Sequence, residues 1–183
     1  MDFAATPRAK ELTDLVTNFV TEEIEPVVDD YHRDVARGGD HTTWAESQIM
    51  TELRAKARAQ GLWNLFLPVG HDQPYAEQFG THGGAGLSNL DYAPVAEAMG
   101  RATTLAPYVF NCNAPDTGNM EVLLKYGTAE QKQTWLEPLL DGQIRSMFGM
   151  TEPGVASSDA TNMAATAVLD GDDVVINGTK WFS

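Results

Sequence analysis

Apolar residues in this chain of 183 residues recur with one spacing before Gly142 and another after it, and that change bounds the fold. From residue 7 to about 36, Leu12, Leu15, Val16, Phe19, Val20, Ile24, Val27, Val28 and Tyr31 return at three- and four-residue steps. Such spacing stacks side chains on one face of an α-helix. Thr6 is placed to cap it, and Pro7 suits the first helical position, where a missing N–H costs no intrahelical bond. Pro26 interrupts the ladder and predicts a kink or two consecutive helices, ended by Gly38 and Gly39. A second helix is predicted from Trp44 to Gln60, with Ile49, Met50, Leu53 and Ala57 inward and Gly61 as its stop. The apolar run 62–68 reads as a buried, extended connection, and residues 69–86 as a loop.

The remaining helices announce their own ends. Ser88 and Asp91 have capping-box spacing and open a helix that runs to about Met99 and stops at Gly100. Another spans Asp116 to Tyr126, with Met120, Val122, Leu123 and Leu124 apolar and Gly127 at the C′ position. Thr128 and Gln131 form a second capping box, opening a helix through Trp135 to Leu140 that Asp141-Gly142 closes.

After Gly142 the signals are those of strands. Residues 144–150 and 161–169 read as strands, and Asp170-Gly171-Asp172-Asp173 as a turn before a third strand at Val174-Val175-Ile176. Asn177-Gly178 is a strong type I′ hairpin signal, with residues 179–183 as the returning strand. The expected class is therefore α+β: an all-α helical domain over residues 1–142, then the first strands of a β-barrel-like domain over 143–183. So few strands leave an open edge, and a sheet of that size is marginal by itself. The sequence accordingly reads as cut within a β domain, or as one whose sheet another chain completes.

Charge and cysteine content narrow the function. Acidic residues outnumber basic ones 26 to 12, a formal net charge of -14. That disfavours sequence-independent nucleic-acid binding and adsorption to anionic membranes, both of which use Lys and Arg. The single cysteine, Cys112, excludes an internal disulfide and argues against a thiolate zinc site. It reads as a buried, inert thiol. His32, His41, His71 and His82 lack metal-ligand spacing and read as surface or loop residues. No metal is expected. The glycines at 80, 83, 84 and 86 follow no predicted strand and lack a Gly-Lys-Ser/Thr ending, so the loop reads as a flexible connection. With no signal peptide or apolar run of bilayer length, the expectation is a cytoplasmic protein.

Two segments can carry chemistry. In Phe148-Gly149-Met150-Thr151-Glu152-Pro153-Gly154-Val155-Ala156-Ser157-Ser158-Asp159, small residues let backbone N–H groups approach a ligand, and Thr151, Ser157 and Ser158 add hydroxyls. In Asn177-Gly178-Thr179-Lys180-Trp181-Phe182-Ser183, an indole and a hydroxyl two residues apart share a strand face. A plate beside a donor suits a flat, polar-edged ring system such as flavin. A hairpin with a core tryptophan and a Ser-rich turn explains the same spacing, and spacing alone favours it.

The Thr-Glu-Pro-Gly and Asn-Gly-x-Lys-Trp motifs, with Tyr126-Gly127-Thr128-Ala129-Glu130-Gln131-Lys132 and Trp135-Leu136-Glu137-Pro138-Leu139-Leu140-Asp141-Gly142, occur in the order and rough spacing of the acyl-CoA dehydrogenase family. Residues 61–68 and 111–121 resemble the branch that includes acyl-CoA dehydrogenase family members 10 and 11. The resemblance covers nearly the whole chain. It implies a helical domain, a middle β domain and a C-terminal four-helix domain, with FAD between the last two and a homo-oligomer when full length. It further implies that Phe148, Met150, Thr151, Trp181, Phe182 and Ser183 belong to the flavin site, with Thr151 near the pyrimidine edge and Ser183 donating towards N5. Ser157 or Ser158 would meet the CoA or pyrophosphate portion; Val155-Ala156-Ser157-Ser158-Asp159 is one residue longer than the commoner Ala-Gly-Ser-Asp, which leaves both open. The implied reaction is α,β-dehydrogenation of an acyl-CoA, with electrons passed to an electron-transfer flavoprotein. No catalytic residue is assigned, because the family's catalytic carboxylate belongs to the C-terminal domain; Glu152 reads as loop architecture. The competing readings are a binding or assembly subunit that completes its sheet with a catalytic chain, and a helical protein with an incidental hairpin.

Overall fold

A computed structural model describes residues 4–36, 45–68 and 82–182, and the chain divides into two compact units between Ile144 and Arg145. The first unit is helical: α1 (Pro7–Phe19), α2 (Val28–Val35), α3 (Gln48–Ala59), α4 (Asn89–Met99), α5 (Ala106–Val109), α6 (Asp116–Tyr126), α7 (Ala129–Gln131) and α8 (Glu137–Leu140). Local chemistry sets the ends. The Thr6 side chain accepts the Ala9 N–H, and Ser88 that of Asp91. Thr128 and Gln131 complete a reciprocal capping box. The kink expected at Pro26 is present as a π-turn, Val20–Ile24, followed by a 3₁₀ turn, Glu25–Val27. Asp91 completes no box of its own; its carboxylate accepts the Thr6 N–H at 3.3 Å, tying the start of α1 to the start of α4.

The apolar stripe of the first helical stretch goes inward, with Leu12, Val16, Phe19, Val20 and Ile24 buried against Met50, Leu53 and Ala57 of α3 and Val95 and Met99 of α4. Phe19 meets Phe110 edge-on, ring centroids 5.3 Å apart. Leu15 departs from the expected stripe and is exposed, as are Val122 and Trp135. A second cluster joins Phe66 and Leu67 to Met120, Leu124, Leu136, Leu139 and Leu140.

The connection 62–68 is buried as expected but turned rather than extended. Asn64 sits at φ 53° and the Leu67 N–H returns to the Asn64 carbonyl at 2.9 Å. Its side chain explains the turn. Asn64 Nδ2 donates to the Leu140 carbonyl at 2.8 Å, and Asn64 Oδ1 accepts from Asn111 Nδ2 at 2.7 Å. Trp63 Nε1 donates to the same Leu140 carbonyl at 2.8 Å. Asn111, also at positive φ (54°), reaches the Leu139 carbonyl at 3.0 Å. Two wholly buried asparagines therefore close the C-terminal end of α8. Gly127 ends α6 at an ordinary φ of -68°, so its role differs from the left-handed cap expected; a Cβ there would lie 2.6 Å from the Leu123 carbonyl oxygen. Gly38, Gly39, Trp44, His41, His71 and Gly80 lie outside the described residues.

In the second unit, β1 (Thr166–Asp170) and β2 (Asp173–Asn177) pair antiparallel, with Asp170 opposite Asp173 across Gly171-Asp172. Two strand expectations fail. Residues 144–150 join no strand pairing among the described residues, and 161–169 begins with a 3₁₀ turn, Ala160–Asn162, so the strand starts only at Thr166. Asn177-Gly178 is not a type I′ turn. Asn177 ends β2 opposite Thr166, and Gly178 lies at φ 158°, where a Cβ would fall 2.6 Å from the Ala165 Cβ. Close approach to Ala165 explains this glycine. No returning strand forms over 179–182.

Asn111→Ala should lower the stability of the helical unit by roughly 1–3 kcal/mol, because it removes the donor to the buried Asn64 Oδ1. The exposed substitution Val122→Ala should change it by less than about 0.5 kcal/mol. Urea unfolding followed by far-ultraviolet circular dichroism compares the two, and equal losses would contradict the asparagine account.

Candidate functional site

Around Glu152 the loop closes on itself through short-range turns. The Ser157 N–H donates to the Val155 carbonyl at 2.9 Å, and Asp159 Oδ1 accepts the Thr161 N–H at 3.0 Å and hydroxyl at 2.6 Å. The Glu152 N–H donates to Ser157 Oγ at 2.7 Å. These bonds curl residues 151–162 and turn the Glu152 side chain into the unit. There its carboxylate accepts the Ala164 N–H at 2.7 Å, the Ala165 N–H at 2.9 Å and Lys180 Nζ at 2.9 Å. Lys180 Nζ also donates to the Met150 carbonyl at 3.2 Å. Those bonds, the Lys180 contact foremost and the two backbone amides next, hold the Glu152 carboxyl down at about 2. An acid so stabilised as the anion is a poor proton acceptor near neutrality. Glu152 belongs to the architecture, in line with its reading from sequence.

The same bonds bring the two chemistry-bearing motifs together. The Trp181 N–H donates to the Thr151 carbonyl at 2.9 Å, so the indole-bearing segment runs alongside the loop entrance. Trp181 is 52% exposed and Phe182 is 90% exposed, their rings edge-to-face with centroids 5.1 Å apart. Thr151 and Phe148 are exposed, and Met150 is half-buried. Ser157 is buried with its oxygen engaged by the Glu152 N–H, whereas Ser158 is exposed. Ser183 lies outside the described residues.

The exposed indole of Trp181, the exposed Thr151 and the half-buried Met150 are residue types that can stack on and hydrogen-bond to a flat heterocycle. Lys180 is the residue that the sequence reading left unassigned. Its signal was available: one acid in the first motif and one base in the second, each next to a candidate ligand contact. Elsewhere, burial pushes the Cys112 thiol up to about 11, which keeps it protonated and unreactive. His82 Nδ1 lies 3.0 Å from Asp141 Oδ1 within the helical unit. Among the described residues no group of His, Cys, Asp or Glu could hold a metal ion, and no helix is long and apolar enough to cross a membrane.

A helical unit matching a known domain, joined to this loop, defines the class. Residues 6–143 match the acyl-CoA dehydrogenase N-terminal domain, and the chain belongs to the acyl-CoA dehydrogenase family. It is 48% identical over its whole length to a Mycobacterium tuberculosis protein named acyl-CoA dehydrogenase FadE2, of which it spans 41%. It is 44% identical, over 97% of its length, to acyl-CoA dehydrogenase family member 10 of Mus musculus, spanning 16% of that protein. A solved acyl-CoA dehydrogenase structure from Mycobacterium abscessus superposes with a TM-score of 0.81 at 54% identity, covering 98% of this chain and 42% of that one. The chain thus corresponds to less than half the length of these relatives.

The depressed Glu152 carboxyl has a measurable consequence. Its folded value lies below the ordinary carboxylate value of 4.5, so the stabilisation it brings is complete above that pH and disappears as the pH falls towards 2. A carbon-13 NMR titration should find the Glu152 carboxyl midpoint well below the ordinary carboxylate value of 4.5, and Lys180→Met should raise it. A midpoint at the ordinary value in the unsubstituted chain would refute the ion-pair geometry.

Proposed function

We propose that residues 145–183 form one side of a flavin site in a flavin-dependent acyl-CoA dehydrogenase that oxidises an acyl-CoA thioester between its α and β carbons. The observation that carries this reading is the backbone hydrogen bond from the Trp181 N–H to the Thr151 carbonyl, which sets the main chains of two exposed residues, one with an indole and one with a hydroxyl, side by side. FAD, when bound, supplies the hydride-accepting chemistry at N5. This chain's residues bind and orient. Trp181 offers a face for stacking, Thr151 a hydroxyl for the polar edge, and Phe148, Met150 and Phe182 apolar surface that limits water access. Ser183 follows this aromatic pair as a donor towards N5.

Ser157 is buried beneath the loop and accepts the Glu152 N–H, so the exposed Ser158 is the serine placed to meet the CoA or pyrophosphate portion. Met150 and Thr151 approach the ring through a backbone that the Glu152 cluster already holds, so little ordering remains at binding. The proton-abstracting carboxylate, the electron-transfer flavoprotein as acceptor and homo-oligomer formation belong to the whole enzyme.

A chimera carrying residues 1–183 in place of the matching part of the Mycobacterium tuberculosis relative tests the reading. It should purify with flavin, and Trp181→Ala should weaken flavin binding by about tenfold, the scale of one aromatic stacking contact. Undiminished flavin affinity in a Trp181→Ala, Thr151→Ala double variant would overturn it. The 183-residue chain alone, mixed with FAD and a long-chain acyl-CoA, should leave the flavin absorbance unchanged. Bleaching in that mixture would place the proton-abstracting base inside these residues.

A further inference from the structure

We propose that Glu152 and Lys180 are positioning residues of this site: their ion pair holds Thr151 and Trp181 side by side and facing outward, and so acts on a flavin that neither of them touches. The proposal rests on the flavin reading of the same site.

The argument begins with adjacency. Glu152 directly follows Thr151, and Lys180 directly precedes Trp181. Both of these neighbours lie on the outside of the unit while the pair meets within it. A pair of side chains that must meet inside the unit fixes the backbone on both sides of Thr151 and Trp181. The Glu152 side chain is 5% exposed and that of Lys180 30%, while Thr151 and Trp181 are both exposed.

Register is fixed by the same ammonium. Lys180 Nζ donates to Glu152 Oε1 at 2.9 Å and to the Met150 carbonyl at 3.2 Å, bracketing Thr151 from both sides. The Trp181 N–H then falls opposite the Thr151 carbonyl. Shifting the 179–182 segment along the loop would carry Lys180 away from Glu152 and leave a buried carboxylate without its cation. Ala164 and Ala165 add their N–H groups to that carboxylate, and Gly178 lets its segment approach Ala165 closely. The carboxylate is thus held by residues 164, 165 and 180, none of which is a proposed flavin contact.

Amide exchange in the flavin-free 183-residue chain tests the pair directly. Lys180→Met and, independently, Glu152→Gln should reduce protection of the Trp181 amide by on the order of tenfold, the range in which supporting residues act on the groups they orient. The β1–β2 ladder and the helical unit should keep theirs. An unchanged Trp181 amide in both variants overturns the proposal. So does loss of the whole β1–β2 ladder, which would make the pair a general support of the unit.

A double-mutant cycle for flavin affinity in the chimera supplies the second readout. If the pair acts through Trp181, Lys180→Met should weaken flavin binding in the parent and add nothing in a Trp181→Ala background. Full additivity overturns the positioning role. If the flavin reading itself is wrong, Trp181→Ala will leave flavin affinity unchanged while the amide result stands, so the two failures are separable.

Discussion

Within residues 145–182, Glu152 is the buried charge, and its neighbours are arranged to satisfy it. Two backbone amides and one ammonium converge on a single carboxylate, while its own N–H is taken by Ser157. A buried anion with a missing partner is costly, by more than the net value of the complete pair. The loop 151–165 and the segment 178–182 therefore have one arrangement that meets the demand. Every exposed group assigned to the flavin site hangs from that arrangement, directly or through a neighbour.

The helical unit meets the equivalent problem with neutral groups. The end of α8 is buried, and its Leu140 carbonyl is met by Trp63, Asn64 and Asn111, while the Leu139 carbonyl takes Asn111 in addition to the Gly142 N–H. Both asparagines accept a left-handed backbone to reach them. Asparagine is suited to this because it tolerates positive φ and carries a donor and an acceptor on a short side chain. The two hubs differ in chemistry. Amides close a helix end in the first unit, and a charged pair ties a loop to a distant segment in the second.

Helix ends were legible because capping is a matter of a few consecutive residues: Thr6, Ser88 and Thr128 each cap as their spacing implies. Inward faces were legible for the same reason, with Leu12, Val16, Phe19, Met50 and Leu53 buried as periodicity requires. The errors lie where distant partners decide. Asn177-Gly178 carries the turn chemistry of a hairpin, yet Gly178 serves to admit Ala165, which is thirteen positions away and invisible to a local rule. Residues 144–150 have strand composition, but pairing needs a neighbour that composition does not supply.

The two motifs could be quoted from sequence, and their family likeness marked them as parts of one site. Sequence could not show that Thr151 and Trp181 adjoin, that Ser157 is spent inside the loop, or that Lys180 is the link. Each of these depends on which buried group meets which across tens of residues. What the amino-acid order decides by itself is therefore the set of elements encoded by neighbours three or four positions apart. What tertiary structure decides is the pairing of buried polar groups, because electrostatic satisfaction acts through space and is indifferent to position along the chain.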